Sequence, residues 1–515
     1  MTRGRTIVIG AGTNGLTTAA LLARAGRDVL VLERRDVIGG LAASGEFHPG
    51  YRSAGIFHDT TLVRPHVVER LALVRHGLKP RTHPPDRLTL APGGAGLLIP
   101  GDPARVASAL GAVSGRDASA WGRYRAFLDR IRPCLIDFLD RPAVNLIDID
   151  SAGMPATWDL LRRALRVRGL GRDDMMELIR VPALSMRDWL DEWFETGPFK
   201  AALAIGALSG NWLGPRSPGG AANLILHDAL RGAGFEGSGH TVAAALQRAA
   251  ESHGVTIRTG ATVESILIRD GRTAGVALRG GEEIEAASIA ASCDPKATFA
   301  LLPAGAAPYR TRRRVEAFRM RGTTAQVLLA LKAPPRFAAR PGDAVAHATT
   351  GEDLDALERA FDAVKYRKHS PRPALEIHIP TVESPDLAPP GHAVVSCLVH
   401  FAPHAIEGGW TDAARERLGE TVIGILEEHA PGIRGTIVSG SVLSPADIEQ
   451  RYGVTGGHIL HGEHALDQIL IRPFPEWSGH ATPLAGLFLC GSGAHPGGGL
   501  TCGPGSLAAD AILKK

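Results

Sequence analysis

Ile7, Val8 and Ile9 run directly into Gly10-Ala11-Gly12-Thr13-Asn14-Gly15, and a second β-rich run over 28–33 ends on a carboxylate, Glu33. This arrangement suits a bound diphosphate. The first glycine lets the chain turn sharply, the second lets a pyrophosphate approach the backbone, and the third lets helix and strand pack closely. Thr13 and Asn14 begin the helix, whose free amides and positive end face the phosphates. Glu33, at the tip of the second strand, accepts hydrogen bonds from both ribose hydroxyls and repels a 2′-phosphate, which favours FAD or NAD over NADP. With 62 glycines in 515 residues, the bare spacing arises by chance about once in such a chain. The signal is its setting: a strand before it, Leu16, Ala19, Ala20, Leu22 and Ala23 at helical spacing after it, and the acid beyond.

A second glycine cluster lies near the other end of the chain. An apolar strand over 487–490 leads into Gly491-Ser492-Gly493-Ala494-His495-Pro496-Gly497-Gly498-Gly499-Leu500-Thr501, and a helix over 504–513 follows. Bare amides and a helix N-terminus again suit negative charge. His458, His461 and His464 form a His-x-x-His-x-x-His run with the residue types of a zinc site. Gly456, Gly457 and Gly462 interrupt the helix that would align them, so no metal is expected. No Gly-x-Ser-x-Gly elbow sits between a strand and a helix, and no second nucleotide fingerprint follows.

Just past Glu33 come Arg34, Arg35 and the pair Gly39-Gly40, which lets the backbone lie against a further part of an extended cofactor. Fingerprint, terminal acid and glycine pair together resemble the flavoproteins of the phytoene desaturase and amine oxidase type. The likeness is strongest to the subgroup typified by the pyridine nucleotide-disulfide oxidoreductase domain-containing protein 2. It runs along most of the chain and includes 189–194, 214–219 and 456–462. Two positions depart from the wider pattern: Leu41 stands where most relatives carry an arginine after the glycine pair, and Ser492 where many carry an acid for the ribityl chain.

The resemblance implies FAD, held by Gly10, Gly12, Thr13, Asn14, Gly15, Glu33, Arg34, Gly39, Gly40 and Leu41 near the start. Val263 offers its backbone to the adenine, and Gly491, Ser492, Gly499, Leu500 and Thr501 close over the flavin. The isoalloxazine becomes anionic on reduction, a charge the last helix N-terminus suits. It also implies an α/β fold. A Rossmann-like FAD domain is assembled from 1–100, 225–300 and 481–515, and an α+β substrate domain from 101–224 and 301–480. The flavin itself carries out the redox step, so side chains assist as bases or polarising groups. His495 in the closing loop and His58 on the early loop expected at the ring are the candidates to accept a proton, with His240 weaker.

The expected reaction is hydride removal from a C–H bond to flavin N5, with reoxidation by oxygen, a quinone or another acceptor. An alcohol or amine carbon of a small polar metabolite, such as an aminosugar, is favoured by the histidines over desaturation of an isoprenoid chain. The rivals are an NAD-dependent dehydrogenase and a nucleotide-binding protein without turnover.

A net charge of +4 with scattered arginines offers no nucleic-acid stripe. Cys134, Cys293, Cys397, Cys490 and Cys502 form no Cys-x-x-Cys pair, so reduced thiols and a cytoplasmic protein are expected. The first strand begins almost at once, and no apolar run approaches the ~18 to 20 residues of a membrane span. Residues 158–168 read as a basic amphipathic helix. The preferred reading has its arginines in water and its leucines against the substrate domain; the alternative is peripheral contact with an anionic membrane.

Overall fold

The computed structural model describes residues 4–143, 149–469, 471–477 and 479–514. Two sheets organise them. The first has five parallel strands in the order Leu487–Leu489, Ser288–Ala291, Thr6–Ile9, Val29–Leu32 and Thr256–Arg258. Its central strand is buried on both faces, which is why it reads as an unbroken apolar run and not as an alternation. Val8, Val31 and Ala290 pack against the helices Thr13–Arg24, Gly239–Ser252 and Gly503–Leu513. Ile7, Ile9, Leu30 and Leu32 pack against an antiparallel meander formed by Val263–Arg269, Arg272–Leu278 and Glu283–Glu285. Asp270 and Gly271 both take positive φ at the turn joining the first two of these strands, as a tight two-residue hairpin requires. Three stretches far apart in sequence therefore make one Rossmann-like layer structure, as expected.

The second sheet has seven strands, in the order Ile437–Leu443, Thr324–Leu331, Ala393–His400, Leu375–His378, His347–Thr350, Arg87–Leu90 and Gly96–Ile99. All neighbours are antiparallel except His347–Thr350 with Arg87–Leu90. Alternation along the two central strands sets its faces. Ala325, Val327 and Leu329 pack with Leu418, Val422 and Leu426 of the helix Asp412–His429, while Gln326 and Ser396 turn to the opposite side and meet Gly55 and His58. A helical layer completes this half. Its core is the aromatic group Tyr124, Trp189, Phe194 and Phe199, and the helix Gly220–Leu230 belongs to it along its whole length.

Two expectations need correction. Arg87–Leu90 and Gly96–Ile99 pair into the second sheet, so the chain has left the cofactor side well before residue 100; that choice is made by partners distant in sequence. The leucines of 158–168 do not together line the substrate domain. Leu161 and Leu165 are exposed, and only Leu160 is half-buried, beside the buried Arg163, which is held by Asp159 Oδ2 and the Pro142 carbonyl.

Candidate functional site

Gly12 precedes the helix Thr13–Arg24, and no side chain among the described residues caps that helix. Its first amides are left for a ligand, the state in which a helix N-terminus takes an anion. Gly10 has a φ of +96°, and a Cβ on Gly15 would overlap the Gly10 carbonyl oxygen, so turn and helix pack at a distance only glycine permits. Gly39 donates to the Ala11 carbonyl at 2.9 Å, and a Cβ on Gly40 would lie 3.0 Å from Gly12 Cα. The glycine pair thus abuts the fingerprint. Glu33 is buried at the strand tip, its Oε2 accepting from the Ala11 amide at 2.8 Å and its Oε1 from the Arg35 amide at 3.0 Å.

These residues border a cleft with about 1200 Å³ of empty space, open solvent at its mouth included. Thr13, Asn14, Arg34, Leu41, Val263, Ser492 and Gly499 also line it. Both ends of the chain meet at one side chain: Asn14 Nδ2 donates to Ser492 Oγ at 3.0 Å, and Asn14 Oδ1 accepts from the Gly505 amide at 3.3 Å. Ser492 therefore joins the two glycine clusters where an acid was the wider pattern. Leu41 packs with Ile56, Ile448 and Ile459, an apolar wall in place of an arginine. Arg34 reaches across to the Gln450 carbonyl at 3.0 Å. Gly491 seats its loop: a Cβ there would overlap the Ser292 carbonyl oxygen. The uncapped helix, the crowded glycines and the buried carboxylate fit an extended flavin dinucleotide.

A second cavity opens beyond this cleft, and the two share Phe57, Ile459 and Gly499. Leu500 and Thr501, expected at the cofactor, line this second space. Much of its wall is apolar, from Leu62, Leu139, Leu226, Leu230, Leu398 and Ile469. Its polar groups include His58, Asp59, Arg64, Asn211, Asn223, His227, Glu376 and His464. Burial pushes the His58 imidazole down to about 4, so it is neutral at pH 7; its Nε2 lies 2.8 Å from Ser396 Oγ, which also accepts from Gln326. Burial opposes charge on Asp59, yet Arg231, His227 and the Thr61 amide hold its carboxyl well below the usual range. Glu376 is held down likewise by His400, 2.8 Å away, and by Arg87.

His227 is the residue that the sequence reading missed. Tyr124 donates to Asp228 Oδ2 at 2.7 Å, and Asp228 Oδ1 lies 3.0 Å from His227 Nδ1. That chain holds the ring with Nδ1–H toward the carboxylate, the arrangement by which a base is oriented by a third group, while Nε2 lies 4.0 Å from Asp59 Oδ2. Gly206 makes room for it, since a Cβ there would lie 2.7 Å from Nε2. The adjacent His227-Asp228 pair inside an otherwise apolar helix was the available signal. Asn223, one turn earlier, is buried at the cavity wall. Neither its amide oxygen nor its nitrogen has a hydrogen-bond partner among the described residues.

Of the expected catalytic histidines only His58 reaches this cavity. His495 is turned toward the end of the helix Gly115–Leu139, its Nε2 donating to the Phe138 and Arg141 carbonyls at 3.1 and 3.0 Å. His240 lies beside Ser238 Oγ at 3.1 Å at the start of the helix Gly239–Ser252. His495 thus ties its loop to that helix end, and His240 stays within its own turn. The three histidines of the 458–464 run diverge: His458 Nδ1 accepts from the Leu460 and Gly462 amides, His461 lines the cofactor cleft, and His464 lines the second cavity.

The model of flavin containing amine oxidoreductases matches residues 15–500. The pyridine nucleotide-disulfide oxidoreductase domain-containing protein 2 of Rattus norvegicus is 32% identical, with 99% of this chain and 93% of that protein aligned. A limonene dehydrogenase component of Castellaniella defragrans is 27% identical over 99% of this chain and 94% of its own. Among solved structures, an oxidoreductase from Methanosarcina mazei superposes with a TM-score of 0.62 at 18% identity, covering 99% of this chain and 100% of that one, which is a likeness of fold. Cleft, glycine spacing and full-length similarity agree: the chain belongs to the flavin containing amine oxidoreductase family and is an FAD-dependent oxidoreductase.

Proposed function

We propose that the protein oxidises a carbon bearing a hydroxyl or amine on a substrate with an apolar body. The observation that carries this reading is the adjacency of the cofactor cleft and the second cavity, which share Phe57, Ile459 and Gly499 in their walls. FAD, when bound, supplies the two-electron acceptor for the hydride. The Gly12 end of the first helix would hold its diphosphate, Glu33 its ribose and the Val263 backbone its adenine. His227 Nε2 takes the proton from the hydroxyl or amine as the C–H bond breaks, leaving a carbonyl or imine. Asp228 and Tyr124 hold the ring for that step. Asn223 offers one donor and one acceptor to the polar end of the substrate, and the leucines exclude water around the rest. This lining favours a larger hydrocarbon body over a compact aminosugar.

Anaerobic mixing of the flavin-loaded enzyme with alcohols and amines of increasing hydrocarbon length tests the proposal. Bleaching of the flavin absorbance should speed up with chain length, and Asn223→Leu should raise the half-saturating concentration. Bleaching by an aminosugar alone would defeat it. A second reading, desaturation of an isoprenoid hydrocarbon, draws support from the leucine lining and from the limonene dehydrogenase relative. Bleaching by a hydrocarbon lacking hydroxyl and amine would favour that reading.

A further inference from the structure

Among the described residues no helix is long and apolar enough to cross a membrane, yet one short stretch exposes much hydrophobic surface. Trp158, Leu161 and Leu165 on the helix Ile149–Gly169 are 61%, 45% and 56% exposed. Met176 and Ile179, on the next helix Arg172–Arg180, are 52% and 66% exposed. At 3.6 residues per turn, Trp158, Leu161 and Leu165 fall within an arc of about 60°. Arg162 and Arg168 flank that arc on its two sides, while Leu160, Arg163 and Val167 occupy the face turned to the protein. Residues 158–168 carry four arginines against one aspartate. An apolar stripe bordered by arginines, with a tryptophan in it, is the composition of a helix that lies in a lipid interface.

We infer that the helix carrying Trp158, Leu161 and Leu165 seats on an anionic lipid surface, with Met176 and Ile179 extending the contact. Charge decides between this occupant and a second copy of the chain. A two-fold contact through the stripe would set each copy's Arg162 and Arg168 against their equivalents, whereas lipid phosphates neutralise them. Arg166 ties this helix to Asp137 on the last turn of the helix Gly115–Leu139.

Sedimentation of flavin-loaded full-length protein with vesicles tests the inference. Vesicles containing phosphatidylglycerol should bind at least about tenfold more tightly than phosphatidylcholine alone, and added salt should weaken the binding. The double variants Leu161→Ser/Leu165→Ser and Arg162→Glu/Arg168→Glu should each lose about tenfold or more. Both should keep wild-type flavin absorbance and melting temperature, since these side chains are exposed. Absence of vesicle binding by the wild type, or undiminished binding by both variants, would overturn the lipid seat. So would a wild-type dimer that the serine variant dissociates.

Discussion

Gly10, Gly12, Gly39 and Gly40 shape the cofactor cleft by the side chains they lack, whereas the cavity beyond Phe57 is shaped by side chains that fill it. Leu226 and His227 come from one helix, Glu376 and Leu398 from two strands of the second sheet, and His464 from a late loop. The first region is largely a backbone surface, where an added Cβ meets a left-handed backbone at Gly10 and neighbours 3.0 Å away at Gly39 and Gly40. The second is a wall in which a substitution changes what fits without removing the wall. Affinity for the flavin and choice of substrate are thus held by different kinds of residue, and damage to one should leave the other readable.

The sharpest separation is expected at His227. His227→Gln should slow flavin reduction by about 10²- to 10⁴-fold, the usual contribution of a positioned base, while flavin content stays at the wild-type level. Stopped-flow bleaching measures this; an unchanged rate would reduce His227 to a wall residue. Next in size is the acid response of the cavity side. His58 is buried neutral with its pKa pushed down to about 4, against about 6.5 when unfolded. Below pH 6.5 the unfolded chain binds the extra proton, so stability falls as pH drops toward 4, by roughly 3 kcal/mol from this residue. Melting curves of wild type and His58→Gln should converge over that window; parallel curves would break the assignment.

Gly15→Val reverses the pattern of His227→Gln. Overlap with the Gly10 carbonyl should cost about 1–3 kcal/mol, weakening flavin binding about 10- to 100-fold. Fluorescence titration of the apoprotein reads it, and loss of flavin from His227→Gln as well would erase the distinction between the two regions. The smallest effect is expected at His495. His495→Ala removes hydrogen bonds to two helix-end carbonyls and should cost about 1 kcal/mol. A slightly lower melting temperature with an unchanged reduction rate is the expected result; a rate loss like that of His227→Gln would restore it as a base.

The same contrast explains what could be read from the amino-acid order alone. The turn at Gly10–Gly15 and the acid at Glu33 were legible because each rests on local spacing with one physical solution, while the three-part assembly of the first sheet came from the family resemblance. The cavity was not legible in this way. His227 and His495 look alike as letters, and only the packing of the helix Gly220–Leu230 against Tyr124 turns one of them inward. Residues 87–99 were assigned with the rest of 1–100 to the cofactor domain, because pairing with the second sheet is a long-range choice. For 158–168 the amphipathic pattern was plain, but the pattern alone did not say which face meets the protein.

Asn14 holds Ser492 on one side and the Gly505 amide on the other, and the strand Leu487–Leu489 closes the edge of the first sheet. The two glycine clusters, 478 residues apart in sequence, are thereby pinned to each other. Loosening the late loop would be felt at the fingerprint, so the grip on the diphosphate depends on chain from both halves of the molecule.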